Sequence, residues 1–119
     1  MSDQLTNWMN GYLRAWESNE PHDIRALFTD DALYKYSPSD SHPRSGIDAI
    51  VEAWTKNRDE RGTWTFDWHS IVDTDALAVV QGLTKHSSAS DYDNLWVIRF
   101  APDGKASEFT EWYMDVAGQ

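Results

Sequence analysis

The spacing of apolar residues changes once along this 119-residue chain, near Gly62, and this change limits the possible folds more than any other feature of the sequence. Before Gly62, apolar residues recur every three or four positions, as on one face of a helix: Leu5, Trp8, Met9, Tyr12, Leu13 and Trp16. After Gly62 they alternate with polar residues, as Trp64, Phe66 and Trp68 do, and this is the period of a β-strand. We therefore predict helices followed by a sheet of long strands, an α+β fold.

The first two helices are bounded by a polar cap and a proline. Ser2 is placed to cap the first helix, and residues 19–21 (Asn-Glu-Pro) end it. Pro21 suits the first turn of a second, short helix, which residues 29–31 close. Three residues of this second helix are expected to point inward: Ile24, Leu27 and Phe28.

The middle of the chain combines a short strand, a loop and a third helix. Residues 32–36 are predicted as a strand, and the Pro- and Ser-rich residues 37–45 as a loop. Ser45 and Asp48 resemble a capping box, in which two side chains bond the first backbone N–H groups of a helix. This third helix is predicted to end at Gly62.

Four long strands are predicted in the second half of the chain. They cover residues 64–69, 77–84, 95–100 and 106–115, and Pro102-Asp103-Gly104 makes the turn between the last two. Consecutive strands of this kind form an antiparallel meander, and the helices are expected to pack on one face of it.

The strand at 95–100 is apolar on both faces. Leu95 and Val97 lie on one face, and Trp96, Ile98 and Phe100 lie on the other. A sheet that is apolar on both sides needs cover on both sides, and the helices supply only one. We therefore expect the outer face to meet a second copy of the chain, which gives a homodimer.

The overall composition excludes several classes of function. With 20 acidic and 10 basic residues the formal net charge is -10, which would repel a phosphate backbone, so we expect no nucleic-acid partner. The chain has no cysteine, and its four histidines lack the spacing of a metal-binding motif, so we expect neither a metal site nor a cofactor. The length predicts one domain over residues 1–119.

The sequence also lacks the hydrophobic segments that address a chain to membranes. It has neither the pattern of a signal peptide at its start nor eighteen consecutive apolar residues. We therefore expect a cytoplasmic protein with no membrane partner.

Three segments resemble the nuclear transport factor 2-like superfamily, and its SnoaL-like members in particular. They are residues 26–32, residues 43–46 (Pro-Arg-Ser-Gly) and residues 109–112. The resemblance implies a cone-shaped, curved antiparallel sheet packed on N-terminal helices, which is a cystatin-like fold. The superfamily includes ketosteroid isomerase, polyketide cyclases, limonene epoxide hydrolase and scytalone dehydratase, together with members that catalyse no reaction, so the fold leaves the chemistry open.

The comparison with ketosteroid isomerase can be made residue by residue. Tyr12 matches the tyrosine of that enzyme that donates a hydrogen bond to the developing oxyanion. Tyr36 and Trp96 stand where it has its two catalytic aspartates. An unassisted phenol is a poor proton acceptor and an indole accepts no proton, so steroid isomerisation by that mechanism is not expected.

The alternation of residues along the strands predicts an aromatic pocket for a small apolar or aromatic organic molecule. If Trp96 faces the pocket, so do the alternate residues of three strands: Val79, Gln81 and Leu83, Ile98 and Phe100, and Phe109, Glu111 and Tyr113. The residues expected to contact the ligand are Tyr34, Tyr36, Gln81, Trp96, Ile98, Phe109 and Tyr113.

Glu111 and Tyr12 are the candidate catalytic residues. The resemblance implies that an acidic residue on the last strand gives and takes a proton, and a carboxyl among aromatic rings is expected to have a raised pKa. This combination favours a cofactor-independent isomerase, cyclase or dehydratase. Two alternatives remain open, a ligand-binding module without turnover and a protein-interaction domain. A shift of one residue in strand register would also turn Glu111 to solvent.

Overall fold

The computed structural model describes residues 2–87 and 90–118. In chain order the described elements are α1 (Asp3–Ser18), α2 (Pro21–Arg25), β1 (Phe28–Lys35), β2 (Arg44–Ser45), α3 (Ile47–Lys56), β3 (Trp64–Asp73), β4 (Leu77–His86), β5 (Tyr92–Phe100), β6 (Ala106–Asp115) and a terminal 3-10 turn (Val116–Gly118). The strands form one curved, unclosed sheet in the order β2-β1-β6-β5-β4-β3. This is the predicted α+β fold, with N-terminal helices and a curved sheet.

The sheet contains one pair of strands that the meander pattern did not predict. All neighbouring strands are antiparallel except β1 and β6, which are parallel. The parallel pair brings the start of the chain beside its last strand. As a result, side chains from the N-terminal half and from β6 reach the same region of the interior.

Helix α1 begins and ends as its sequence predicted. The Ser2 hydroxyl accepts a hydrogen bond from the Leu5 N–H at 3.2 Å, and it donates to the Asp73 carboxylate at the end of β3 at 2.6 Å. Asn19 ends the helix in the left-handed region at φ 55°, with its N–H bonded to the Ala15 carbonyl at 2.7 Å. The N-terminal end of the helix is therefore bonded to the sheet, and its C-terminal end is closed by its own backbone.

The boundary between α2 and β1 was predicted wrongly. The helix ends at Arg25, and Phe28 begins β1, where it pairs with Ala106 of β6. The register then shifts between Phe28 and Leu33, which leaves the polar residues 29–31 inside the strand. These polar residues suggested a helix end, and the pairing of β1 with β6 shows that they lie in a bulged strand.

The start of α3 also differs from the prediction. Gly46 caps the helix at φ 90°, a conformation that residues with side chains rarely adopt, and Ser45 belongs instead to the short strand β2. Asp48 forms an ion pair with Arg25 at 2.8 Å and takes no part in a capping box. The helix ends at Lys56, well before Gly62, and the Asn57 side chain bonds the Ala53 carbonyl there at 3.0 Å.

The register across β4, β5 and β6 fixes which side chains face the helices. Val80 lies opposite Trp96, and Trp96 lies opposite Glu111, so these three residues share the inner face. The prediction for β5 and β6 is correct on this point. For β4 it is wrong, because Gln81 is exposed on the outer face opposite Leu95.

The inner face of β4 carries small residues because aromatic rings occupy the space above it. Gly82 is the clearest case, since a Cβ at this position would lie 2.3 Å from Cζ of Phe66. The Phe66 ring stacks on the Trp96 ring at a centroid distance of 4.7 Å. The absence of a side chain at Gly82 therefore allows the stack that holds Trp96.

Gly82→Ala is expected to lower the free energy of unfolding by about 1–3 kcal/mol, because the Phe66 ring must move out of the stack. Urea denaturation followed by circular dichroism measures the change. Gln81→Ala is the matched control, and this exposed neighbour should change the stability by less than about 0.5 kcal/mol. Equal stabilities of the two variants would contradict this account of the packing.

Candidate functional site

A cavity of about 250 Å³ opens between α1, α3 and the inner face of the sheet. Aromatic rings form most of its wall: Tyr12, Trp16, Tyr34, Tyr36, Trp54 and Trp96. Its polar lining comes from Asn19, Arg44, Asn57, Arg58, Asp59 and Glu111. A second cavity of about 380 Å³ extends toward Tyr92 and Tyr113, and Glu111 lines both. The two cavities are therefore adjoining lobes that meet at this carboxyl.

The Glu111 carboxyl is held by two donors on the neighbouring strand. Its Oε2 accepts hydrogen bonds from the Trp96 indole N–H at 2.9 Å and from the Asn94 side-chain amide at 3.1 Å. The Thr84 hydroxyl donates to the Asn94 amide oxygen at 2.7 Å, so the NH2 group of Asn94 is turned toward Glu111. Among the described residues none donates to Oε1, and this oxygen is left for the cavity.

Burial raises the pKa of Glu111, and the hydrogen bonds from Trp96 and Asn94 oppose that change. No Lys, Arg or His of the described chain lies within 4.0 Å of the carboxyl to form an ion pair. A carboxyl in this state retains its proton to a higher pH than an exposed one does. It can therefore both accept and donate a proton within the cavity.

Two tyrosines supply neutral hydrogen-bond donors to the same cavity. The hydroxyl groups of Tyr12 and Tyr34 are 3.0 Å apart, and both residues are buried. Burial raises the pKa of each well above its usual value, and the nearby Glu111 raises both further. The pair has two hydroxyl protons and uses one between its members, so the other is left to bond a ligand oxygen.

The residues predicted from strand alternation fall into three groups. Glu111, Tyr12, Tyr34, Tyr36 and Trp96 line the first cavity together. Tyr113 lines the second lobe, where its side chain is 55% exposed.

The other predicted ligand contacts do not line either lobe. Ile98 and Phe109 are fully buried beneath the aromatic wall, and Phe109 stacks on Tyr34 at a centroid distance of 4.7 Å. They support the site from below and do not reach it. Gln81 lies on the opposite face of the sheet, so it cannot contribute to this site.

Sequence reasoning missed two polar residues that order the site. Asn94 is a buried polar residue on the inner face of β5, and it was missed because it lies just before the predicted start of that strand at Leu95. Asp59 accepts a hydrogen bond from the Trp16 indole N–H at 2.9 Å, and His86 lies 3.8 Å from the same oxygen. Asp59 lies in a loop after α3, and nothing in its local sequence indicated this role.

The match to a family profile covers most of the chain. The SnoaL-like domain matches residues 9–115. The chain belongs to the SnoaL-like domain family. A search of curated proteins found no match.

Solved structures of this SnoaL-like fold superpose on most of the chain at low sequence identity. An NTF-2 like protein of unknown function from Burkholderia xenovorans has a TM-score of 0.76 at 12% identity, over 95% of this chain and 84% of that one. A steroid delta-isomerase from Pseudomonas aeruginosa has 0.67 at 14%, over 99% and 85%. IdmH, a candidate polyketide cyclase from Streptomyces antibioticus, has 0.69 at 16%, over 94% and 92%. At these identities the likeness establishes the fold alone.

Residues 2–87 and 90–118 contain neither a metal-binding cluster nor a membrane-spanning helix. No group of three or more His, Asp or Glu side chains there is arranged to hold a metal ion. No helix in the same ranges is both long enough and apolar enough to cross a membrane.

Glu111→Gln is expected to stabilise the fold increasingly as the pH rises. The folded-state pKa of Glu111 is raised, so its contribution to stability is present at low pH and is lost as the pH rises through that pKa. Glutamine keeps an acceptor for Trp96 and Asn94 and has no charge to desolvate. Urea denaturation at about pH 5 and about pH 8 measures the difference between variant and wild type.

The matched control is Glu52→Gln, which changes an exposed glutamate on α3. It should give a small difference from wild type that is the same at both pH values. A Glu111→Gln difference that stays constant between them would show that this carboxyl is not desolvated.

Proposed function

We propose that this chain binds a small, mostly aromatic or apolar organic molecule in the cavity and catalyses a proton transfer on it without a cofactor. The observation that carries the proposal is the Glu111 carboxyl, which two donors fix at one oxygen while the other faces an aromatic cavity. The reaction class is that of an isomerase, a cyclase or a dehydratase. The steroid delta-isomerase and the candidate cyclase with this fold support the class without identifying the substrate.

In this proposal Glu111 acts as the general base and then as the general acid. Its free oxygen removes a proton from a carbon beside a carbonyl group of the ligand, and the electron pair moves to the carbonyl oxygen. The free hydroxyl proton of the Tyr12 and Tyr34 pair stabilises the resulting oxyanion. Glu111 then returns the proton to a second carbon or to a leaving hydroxyl group, which restores the starting state.

Trp96 has a positioning role in this scheme. Its indole donates to the carboxyl, so it orients Glu111 and does not exchange protons itself. This agrees with the absence of the two aspartates that ketosteroid isomerase would require at Tyr36 and Trp96. The proton-transfer residue of this chain is thus proposed to lie on β6.

A ligand-binding module without turnover is the second candidate. The observation that favours it is the pair of hydrogen bonds to Oε2, which oppose the rise in the pKa of Glu111 and so weaken it as a base. In that case Glu111 orients a polar group of the ligand. Binding and turnover must therefore be measured separately.

Glu111→Gln is expected to retain ligand binding and to lower turnover by at least about a hundredfold, because the amide cannot accept the proton. A thermal-shift screen of aromatic and apolar carbonyl compounds identifies ligands, since binding to the folded state raises the Tm. Product analysis of the hits by mass spectrometry and NMR then measures turnover.

The control for this experiment is again Glu52→Gln, which should match wild type in both binding and turnover. If the wild type binds the hits but forms no product from them, the proposal of catalysis is wrong and the ligand-binding module is the remaining candidate. An unaltered turnover in Glu111→Gln would remove Glu111 from the mechanism.

We also propose that the outer face of the sheet forms a homodimer. This face carries half-buried Leu95 and Val97, and it exposes 40% of Trp112 and 58% of Met114. No helix of the described chain covers it, because all three pack on the inner face or beside it. Apolar surface of this kind is normally buried against a partner.

Sedimentation of the wild type is expected to give twice the 13.7 kDa mass of the chain. Trp112→Asp should give a folded monomer, because it places a charge where the two faces meet. Gln81→Ala on the same face should remain dimeric. A wild-type monomer at micromolar concentration would contradict the proposed dimer.

A further inference from the structure

Arg44 occupies an unusual position in the wall of the first cavity. It lies in β2, its backbone pairs with Tyr34 of β1, and its side chain lines the same cavity as Glu111. Its guanidinium carbon is 5.7 Å from the centre of the Tyr36 ring. A guanidinium over an aromatic face is held in orientation by the cation–π attraction, so its donors keep a defined direction.

The guanidinium of Arg44 has no ion-pair partner among the described residues. No carboxylate lies within 4.0 Å of it, whereas Arg25, Arg61 and Arg99 each have one. Nη1 makes a long hydrogen bond of 3.4 Å to the His42 carbonyl, the side chain also donates to the Tyr36 hydroxyl, and Nε is buried and donates to no described residue. Asp40 acts on Arg44 only at longer range. The guanidinium therefore has further N–H groups for an anionic ligand.

The sum of the charges around the cavity depends on whether Glu111 holds its proton. The charged side chains of the lining are Arg44 and Arg58 together with Asp59 and Glu111. Their charges sum to zero while Glu111 is ionised, as it must be to act as the base, and to +1 while it holds a proton. A monoanion therefore unbalances the cavity less than a dianion such as a phosphate monoester would.

Arg44 and Glu111 are separated enough to contact one ligand at two points. They line the same cavity but form no ion pair within 4.0 Å, and the ring of Tyr36 is close to both. Burial raises the pKa of Tyr36, the charge of Arg44 and a hydrogen bond from Arg44 lower it, and the charge of Glu111 raises it. A molecule lying across the aromatic wall can therefore place one group at each residue.

We propose that Arg44 binds the carboxylate of the ligand, so that the cavity selects small aromatic monocarboxylic acids. The planar fork of a guanidinium matches a carboxylate through two parallel hydrogen bonds, and it rejects an isosteric amide that carries no charge. This inference rests on the proposed function, since it names the substrate class of the same site. The carboxylate fixes the aromatic body between Arg44 and the Glu111 carboxyl.

The test compares matched acids and amides of the same shape. The probes are benzoate and benzamide, cinnamate and cinnamamide, and indole-3-acetate and indole-3-acetamide. Trp16, Trp54 and Trp96 line the cavity, so quenching of tryptophan fluorescence reports occupancy, and calorimetry gives the dissociation constants. For at least one of these pairs, the wild type should bind the acid about tenfold more tightly than the amide.

Arg44→Gln should abolish this preference and leave amide binding unchanged, which also shows that the variant is folded. Arg44→Lys should retain part of the preference, because it keeps the charge and loses the fork. Arg99→Gln is the matched control, since Arg99 is an exposed arginine that lines neither lobe, and it should retain the full preference.

The outcomes separate this inference from the proposed function. Wild-type binding of acids and amides with equal affinity would overturn the role of Arg44 and leave the cavity as a ligand site. A preference that survives in Arg44→Gln would overturn it as well. Failure of all six probes to bind would count against the small-molecule site itself, and the inference would be lost with it.

Discussion

The hydrogen bond from the Trp96 indole to Glu111, at 2.9 Å, determines where the candidate site lies. Strand register places the two residues directly opposite each other on β5 and β6. The indole ring cannot turn away, because Phe66 stacks on it at 4.7 Å and Tyr12 packs against it at 4.6 Å. The carboxyl is therefore positioned by the packed core of the sheet, and this gives it a precision that a loop would not provide.

The burial that suits Glu111 to proton transfer also lowers the stability of the fold. A carboxyl at this depth loses hydration, and the two donors at Oε2 offset only part of that loss. The buried hydroxyls of Tyr12 and Tyr34 bond each other, so both are only partly satisfied. An apolar residue at position 111 would avoid this loss of hydration, but it would leave the Trp96 and Asn94 donors without their acceptor. Polar groups that a core would exclude, gathered around one cavity, are typical of a functional site.

The sequence predicted the fold and part of the site, and the limit has a physical reason. On β5 and β6 the face of Glu111 followed from one assumption, that the large Trp96 ring lies inside, and the strand register confirms it. On β4 both faces are apolar, so alternation could not choose between Val80 and Gln81. Long-range pairing made that choice, as it did where β6 extended β1 back to Phe28.

Arg44 and Glu111 differ in their hydrogen bonding from the polar side chains at the opening of the cavity. Asn19, in a left-handed conformation after α1, accepts from the Trp54 indole at 3.2 Å and donates to the Asp59 carbonyl at 3.1 Å. The Asn19 side chain therefore connects the end of α1 to Trp54 of α3 and to the loop after α3, at the opening of the cavity. The Tyr12 and Tyr34 hydroxyls, Oε1 of Glu111 and Nε of Arg44 keep hydrogen-bonding capacity at the cavity, and among the described lining atoms only Nε of Arg44 is both buried and without a partner. Native proteins seldom leave a buried polar group unpaired, so a ligand group or a water molecule is expected at this nitrogen.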